Sequence, residues 1–369
     1  MATDKILECT GMYKSFGPTK AVVNVNFSIA PGEIRGLIGE NGSGKSTLCG
    51  MITGVLKMDS GEMKFLGEKY SPSSLIESKS KGVCMLQQET GTINGLTVAE
   101  NIFIGKESMF AKFGIVDKRK MNMEAAKVLA DIGIEVNPEI MITELSFEER
   151  KLIEVASAMY NDPKILIVDE TTTALSQKGR EIIYSIIDKM KKENKAVIFI
   201  THDLQELMDV CDTATVLRDG HYVDTLNVKE CSEDQIRMSM IGRDLTGHYY
   251  RADNGTEISK EVVLEVSELS YGKSLRNVSF KLHKGEILGI GGLTDCGMHE
   301  LGKVIFGAIK PDKGCVKVSS GTEIKDTSDA LNMRVAYIPK DRDMESIFLA
   351  ASIKDNITVA STQKTSKFG

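Results

Sequence analysis

Gly39-Glu40-Asn41-Gly42-Ser43-Gly44-Lys45-Ser46 fits the pattern GxxxxGK[ST], placed between the apolar run Ile34 to Ile38 and a following helix. Glycines let such a loop curl until its backbone N–H groups, and the N-terminus of the next helix, face phosphate oxygens. Lys45 then reaches the β- and γ-phosphates, and Ser46 offers a hydroxyl to Mg²⁺. Downstream, Ile165-Leu166-Ile167-Val168-Asp169-Glu170 is an apolar strand ending in two carboxylates. That arrangement puts Asp169 near Mg²⁺ and Glu170 beside an attacking water, although an isolated copy would equally suit a solvated strand end.

Around these motifs the chain reads as α/β. Ile34 to Ile38, Lys164 to Val168 and Ala196 to Ile200 are short runs rich in Val and Ile, each followed by a polar or Gly-rich turn, as buried parallel strands are. Met123 to Ile132 and Arg150 to Met159 carry apolar residues three and four apart and read as amphipathic helices. Alternating strands and helices imply a parallel sheet that holds ligands at its carboxyl edge.

The chain also repeats itself. Val25-Asn26-Phe27-Ser28-Ile29 followed by Gly32-Glu33-Ile34 returns as Val278-Ser279-Phe280-Lys281-Leu282 followed by Gly285-Glu286-Ile287, about 253 residues later. Gly39, Gly44, Gly54 and Gly61 map onto Gly292, Gly297, Gly307 and Gly314, and Asn101-Ile102 onto Asn356-Ile357 with a drift of about two residues. The expected organisation is a first domain over 1–240, a connector over 241–261 and an incomplete second copy over 262–369. Gly369 corresponds to about position 114 of the first copy.

Composition sets the outer bounds. A chain of 369 residues, 41% hydrophobic and 27% charged, has ample length for a sizeable core. No apolar run nears the roughly 18 residues of a membrane span, and the N-terminus shows no signal pattern, so a cytoplasmic chain is expected. A net charge of −6 argues against a nucleic-acid partner. Seven cysteines (Cys9, Cys49, Cys84, Cys211, Cys231, Cys296 and Cys315) form no CxxC pair or metal-ligand spacing, and are expected as buried, reduced thiols.

The order of motifs resembles that of the ATP-binding cassette (ABC) family over nearly the whole chain. The resemblance implies a nucleotide-binding domain with a RecA-like parallel sheet, an N-terminal antiparallel β subdomain and a helical subdomain. It also implies ATP and Mg²⁺ as cofactors. Carried over by position, Phe16 of Lys14-Ser15-Phe16-Gly17 is expected to stack on adenine. Gly39, Asn41, Gly42, Gly44, Lys45, Ser46 and Thr47 would hold the phosphates, with Ser46, Gln88 and Asp169 at the metal. Glu170, His202 and Gln88 would be catalytic, His202 contacting the γ-phosphate and Gln88 sensing Mg²⁺ and water.

Leu96-Thr97-Val98-Ala99-Glu100-Asn101-Ile102, Ile241-Gly242-Arg243, Tyr337-Ile338-Pro339 and Asp341-Arg342 narrow the resemblance to the tandem ATPases of bacterial ribose, galactose and xylose importers. Nucleoside importers share that architecture. Translation-associated ABC proteins fit less well, since they carry pairs of intact cassettes. The resemblance implies a location at the cytoplasmic face of the membrane, on two transmembrane permease subunits. An extracytoplasmic sugar-binding protein delivers the solute, and a second ATPase copy can take part.

Two places depart from the family pattern. Where the family has Leu-Ser-x-Gly-Gln, this chain has Leu145-Ser146-Phe147-Glu148-Glu149. Ser146 and Glu149 spell a capping box that would satisfy the helix amides otherwise offered to phosphate, and the carboxylates of Glu148 and Glu149 would repel an anion. In the second copy, Met298 and His299 stand where Lys and Ser or Thr are needed. Both defects fall in one composite site of the family's head-to-tail dimer. The other site would need a signature near position 400 by the repeat offset, so a nucleotide-binding but catalytically silent module is the alternative expectation. With its central strands wanting, the second copy is expected to be the less stable half.

Overall fold

The computed structural model describes residues 5–87, 91–242, 258–293, 296–339 and 345–361. The chain divides into two units, Met1–Gly247 and His248–Gly369.

The first unit opens with β1 (Leu7–Phe16) and β2 (Thr19–Ile29), a hairpin, then β3 (Ile34–Ile38) and, after the glycine-rich loop, α1 (Lys45–Ile52). β4 (Ser60–Phe65) and the short β5 (Glu68–Lys69) return alongside β1, completing an antiparallel sheet in the order β2-β1-β4-β5. α2 (Leu75–Ser80) leads into β6 (Val83–Leu86). A helical region follows: α3 (Val98–Ile102), the small hairpin β7 (Ala111–Lys112) and β8 (Ile115–Val116), α4 (Lys118–Asp131) and α5 (Phe147–Met159). The chain then alternates through β9 (Ile165–Asp169), α6 (Gln177–Lys192), β10 (Ala196–Ile200), α7 (Leu204–Val210), β11 (Thr213–Arg218), β12 (His221–Asn227) and α8 (Glu233–Ile241).

The main sheet runs β12-β11-β3-β10-β9-β6, parallel throughout except for the antiparallel edge strand β12. Alternation along β10 explains why its strands are apolar on both faces. Ile198 and Ile200 pack with Leu48, Met51 and the antiparallel sheet's Leu7, Val25 and Ile29, whereas Val197 and Phe199 pack with Ile183, Ile187 and Met190 of α6. A third core joins α3, α4 and α5 through Phe103, Met121, Leu129 and Ile153. The three expected strands and both expected helices form, with a RecA-like sheet, an antiparallel β subdomain and a helical subdomain as anticipated.

In the second unit β13 (Val262–Tyr271), β14 (Leu275–His283) and β15 (Lys313–Val318) make an antiparallel sheet, with α9 (Met298–Ile305), α10 (Thr327–Asn332) and α11 (Ile353–Thr358). The repeat is geometric as well as textual. Left-handed backbone recurs at Asn24 (φ 50°) and Asn277 (φ 51°), and at Gly44 (φ 101°) and Gly297 (φ 90°). A Cβ on Gly44 would strike Ala21 O at 2.4 Å, and one on Gly297 would strike Ser274 O at 2.6 Å, equivalent carbonyls 253 residues apart. Asn101 accepts from Ile93 N (2.7 Å) and donates to the carbonyls of Ile93, Leu96 and Thr97. Asn356 repeats this with Phe348 N (2.8 Å) and the carbonyls of Phe348, Ala351 and Ser352.

One element of the copy does not repeat. Residues 286–292, equivalent to β3, belong to no sheet, and Ile287 is 78% exposed with Ile290 and Leu293 also open. β3 is held between β10 and β11, and the described residues of the second unit contain no strand to play either part. The expectation of buried cysteines needs one correction. Cys9, Cys49, Cys84 and Cys211 are buried and Cys231 and Cys315 partly so, but Cys296 is exposed because it lies in the glycine-rich turn ahead of α9. Among the described residues there is no helix long and apolar enough to cross a membrane, and no cluster of metal-ligating side chains.

Candidate nucleotide site

Four adjacent strands deliver the expected residues to one edge. The register pairs Ile200 with both Leu37 and Asp169, so β3, β10 and β9 end level, and β6 ends beside β9 at Leu86. The loop 39–44 follows β3, His202 follows β10, Asp169 and Glu170 close β9, and Gln87 follows β6. Gln88 itself lies outside the described residues.

The loop's shape requires its glycines. Gly39 (φ 151°) passes so near β11 that a Cβ would fall 2.1 Å from Leu217 O, and Gly44 begins α1 in left-handed backbone against β2. Lys45 is buried, and its Nζ donates to the carbonyls of Gly39 (2.8 Å) and Glu40 (3.1 Å), curling the loop around its own ammonium. Gly220 N donates to Ser43 O (3.2 Å) and Val23 N to Gly220 O (2.7 Å), tying the loop to β2. The N-terminus of α1 has no side-chain cap. Ser43 Oγ is buried without a hydrogen-bond partner, while Asn41, Gly42 and Ser46 are exposed and Thr47 is half-buried. An uncapped helix start, an orphaned hydroxyl and an exposed Ser46 together form a donor-rich cradle that fits a polyphosphate.

Charge is concentrated beside this cradle. Burial pushes the Lys45 ammonium below its ordinary value, opposed by the nearby charges of Glu170 and Asp169. Burial, and next the charge of Glu170, raise the Asp169 carboxyl to about 6. Two carboxylates at one strand end, only partly offset by the Lys45 ammonium, favour a further cation, which fits Mg²⁺. Glu170 adopts left-handed backbone (φ 44°) and donates its N–H to Ile200 O at 3.0 Å. His202 is exposed, with Nδ1 3.7 Å from Glu170 Oε1, beyond hydrogen-bond range but near enough to close on a shared ligand. Phe16, 47% exposed at the end of β1, leaves ring surface open for stacking, with the Lys14 ammonium 5.5 Å from its centroid.

At the altered signature the expected capping box forms. Ser146 Oγ accepts from Glu149 N (3.3 Å), and the Glu149 carboxylate accepts from Ser146 N (2.8 Å). Glu148 turns elsewhere. It accepts from Ser176 Oγ (2.5 Å) and Ser176 N (3.2 Å) at the start of α6, a pairing no local pattern announces. In the second unit, Met298 is half-buried and His299 exposed at the first turn of α9, where α1 has Lys45 and Ser46.

The ABC transporter family profile matches residues 22–173 and 275–368. The ribose import ATP-binding protein RbsA of Bacillus cereus is 36% identical over 98% of this chain and 72% of that protein. The protein of the same name from Clostridium perfringens is 34% identical over 97% of this chain and 71% of its own length. Among solved structures, MJ1267, an ATP-binding cassette of an ABC transporter, in its ADP conformation superposes with a TM-score of 0.56. It is 25% identical and covers 65% of this chain and all of that one. cbiO1 from Clostridium perfringens, part of the ABC transporter complex cbiONQ, gives a TM-score of 0.52 and 26% identity, covering 62% of this chain and 90% of that one.

Proposed function

The chain belongs to the ABC transporter family of ATP-binding proteins, and from that premise we propose that it binds and hydrolyses Mg-ATP to drive import of a sugar, ribose being the first candidate. The observation that carries this reading is the meeting of Lys45, Asp169 and Glu170 at the edge where Gly39 and Gly44 shape the phosphate cradle. Bound Mg-ATP supplies the reactive γ-phosphate and the divalent charge. Lys45 trades the carbonyls of Gly39 and Glu40 for phosphate oxygens. Ser46 and Asp169, with Gln88, hold the metal, while Phe16 stacks on the base and Asn41, Gly42 and Thr47 line the phosphates. Glu170 orients the attacking water, and His202 stabilises charge on the γ-phosphate.

The relatives' name, ribose import ATP-binding protein, supports a part in import, and we propose a peripheral position at the cytoplasmic face of a membrane, on two permease subunits served by an extracytoplasmic sugar-binding protein. We assign residues 1–240 to the first nucleotide-binding domain, 241–261 to a connector and 262–369 to a second, altered copy.

A second reading, nucleotide binding without turnover, is favoured by the capped start of α5 and by Met298 and His299 at the start of α9. Calorimetric titration with Mg-ATP and steady-state turnover separate the two. Lys45→Ala is expected to weaken binding at least about tenfold, and Glu170→Gln to keep binding while turnover falls about a hundredfold. Binding by the wild type without turnover selects the silent module, and binding indifferent to Lys45→Ala sinks both readings.

A further inference from the structure

Lys151 is a lysine buried to 1% exposure within the apolar packing of α5, five residues after Ser146. A buried ammonium persists only when its donors are matched, and the partners here are informative. Nζ donates to Gln87 O and lies 3.1 Å from the Glu154 carboxylate, one turn further along α5. That carboxylate also reaches Gln87 and Gly91. Oε1 accepts Gln87 N (3.2 Å) and Oε2 accepts Gly91 N (3.3 Å). Gly91 admits this approach, since a Cβ there would already stand 3.3 Å from Glu154 Oε1.

We propose that Lys151 and Glu154 are a positioning pair that fastens two anchor residues, Gln87 and Gly91, to α5, the helix capped by Ser146. The inference rests on the ATPase reading for what Gln88 does, but the clamp itself rests on the geometry at Gln87 and Gly91. Its physical consequence is that Gln87 and Gly91 are held to α5. Charge-assisted hydrogen bonds at both anchors resist separate motion. Neither side chain is among those assigned to nucleotide or metal. Their expected effect on turnover comes through Gln88, which the sequence puts between the two anchors.

The test uses the full chain with Glu154→Gln, Lys151→Met and Lys151→Arg, read by amide hydrogen exchange of peptides covering 85–92 and by ATP turnover. Glu154→Gln and Lys151→Met are expected to speed exchange at Gln87 and Gly91 at least about tenfold, with exchange in β9 and β10 unchanged. They are also expected to lower kcat about tenfold while KM for ATP moves less than about twofold. Lys151→Arg, keeping charge and donors, is expected to restore both. Should Lys151→Met unfold the chain, Glu154→Gln, which keeps shape and one acceptor, carries the test. Unchanged exchange at Gln87 and Gly91 overturns the clamp, as does a loss of protection spread evenly over the unit. If Lys45→Ala leaves ATP affinity intact the ATPase reading fails separately, and the exchange experiment still decides the clamp because it needs no turnover.

Discussion

The Glu148 carboxylate accepts both Ser176 Oγ, at 2.5 Å, and Ser176 N, at 3.2 Å, so the start of α5 is fastened to the start of α6. A carboxylate that the sequence offers as a repellent to phosphate is thus already engaged as a second cap, at the positive end of the α6 dipole. Glu149 is engaged likewise by Ser146. The altered signature is closed by its own side chains.

Glu148→Ala should lower unfolding free energy by about 1 kcal/mol, since it strips a charged acceptor from a helix cap. A Cβ on Gly179 would stand 2.5 Å from Glu148 Oε1. Gly179→Ala is therefore expected to give no gain in the wild type but a gain of about 0.5–1 kcal/mol beside Glu148→Ala. A urea double-mutant cycle measures the coupling, and strict additivity would remove the fastening from the account.

Ser146→Ala should cost about 1 kcal/mol of stability by opening the capping box. Its affinity for Mg-ATP should stay within about twofold of wild type, because the Ser146 hydroxyl is already engaged in its cap rather than offered to a phosphate. A marked loss of affinity would mean that Ser146 leaves its cap to bind nucleotide.

Asp169 sets a pH dependence in the ligand-free chain. Its carboxyl is raised to about 6 by burial and then by Glu170, above its unfolded value, so between roughly pH 4 and 6 the native state holds more protons than the unfolded one. Its contribution therefore becomes less favourable as pH rises through that window. Asp169→Asn is expected to be more stable than wild type at pH 7 by about 1–2 kcal/mol, less than full linkage because the site keeps solvent contact, and level with it near pH 4. Paired thermal melts at the two pH values check the sign.

Residues 286–293 should be the first part of the second unit to yield to limited proteolysis, with β13 and β14 surviving longer. The segment carries Ile287, Ile290 and Leu293 exposed and belongs to no sheet. N-terminal sequencing of early fragments reads the site of cleavage. Equal resistance of both units would count against the expected weakness of the second.

The phosphate loop, the carboxylate pair and the repeat were legible because each depends on local backbone geometry. Gly39 and Gly44 must be glycine to pass Leu217 O and Ala21 O, and the same demand writes Gly297 into the second copy. The capping box at Ser146 and Glu149 spans three residues and is equally local. Sequence alone therefore determined the α/β class, the tandem order and the candidate residues at the sheet edge. Tertiary structure decided what no short pattern encodes: that Glu148 finds Ser176 across 28 residues, that Lys151 is buried to hold Gln87, and that Asp169 and Glu170 crowd until one carboxyl is raised. It also decided that residues 286–292 do not repeat β3, because a central parallel strand is made by its neighbours on both sides rather than by its own apolar residues.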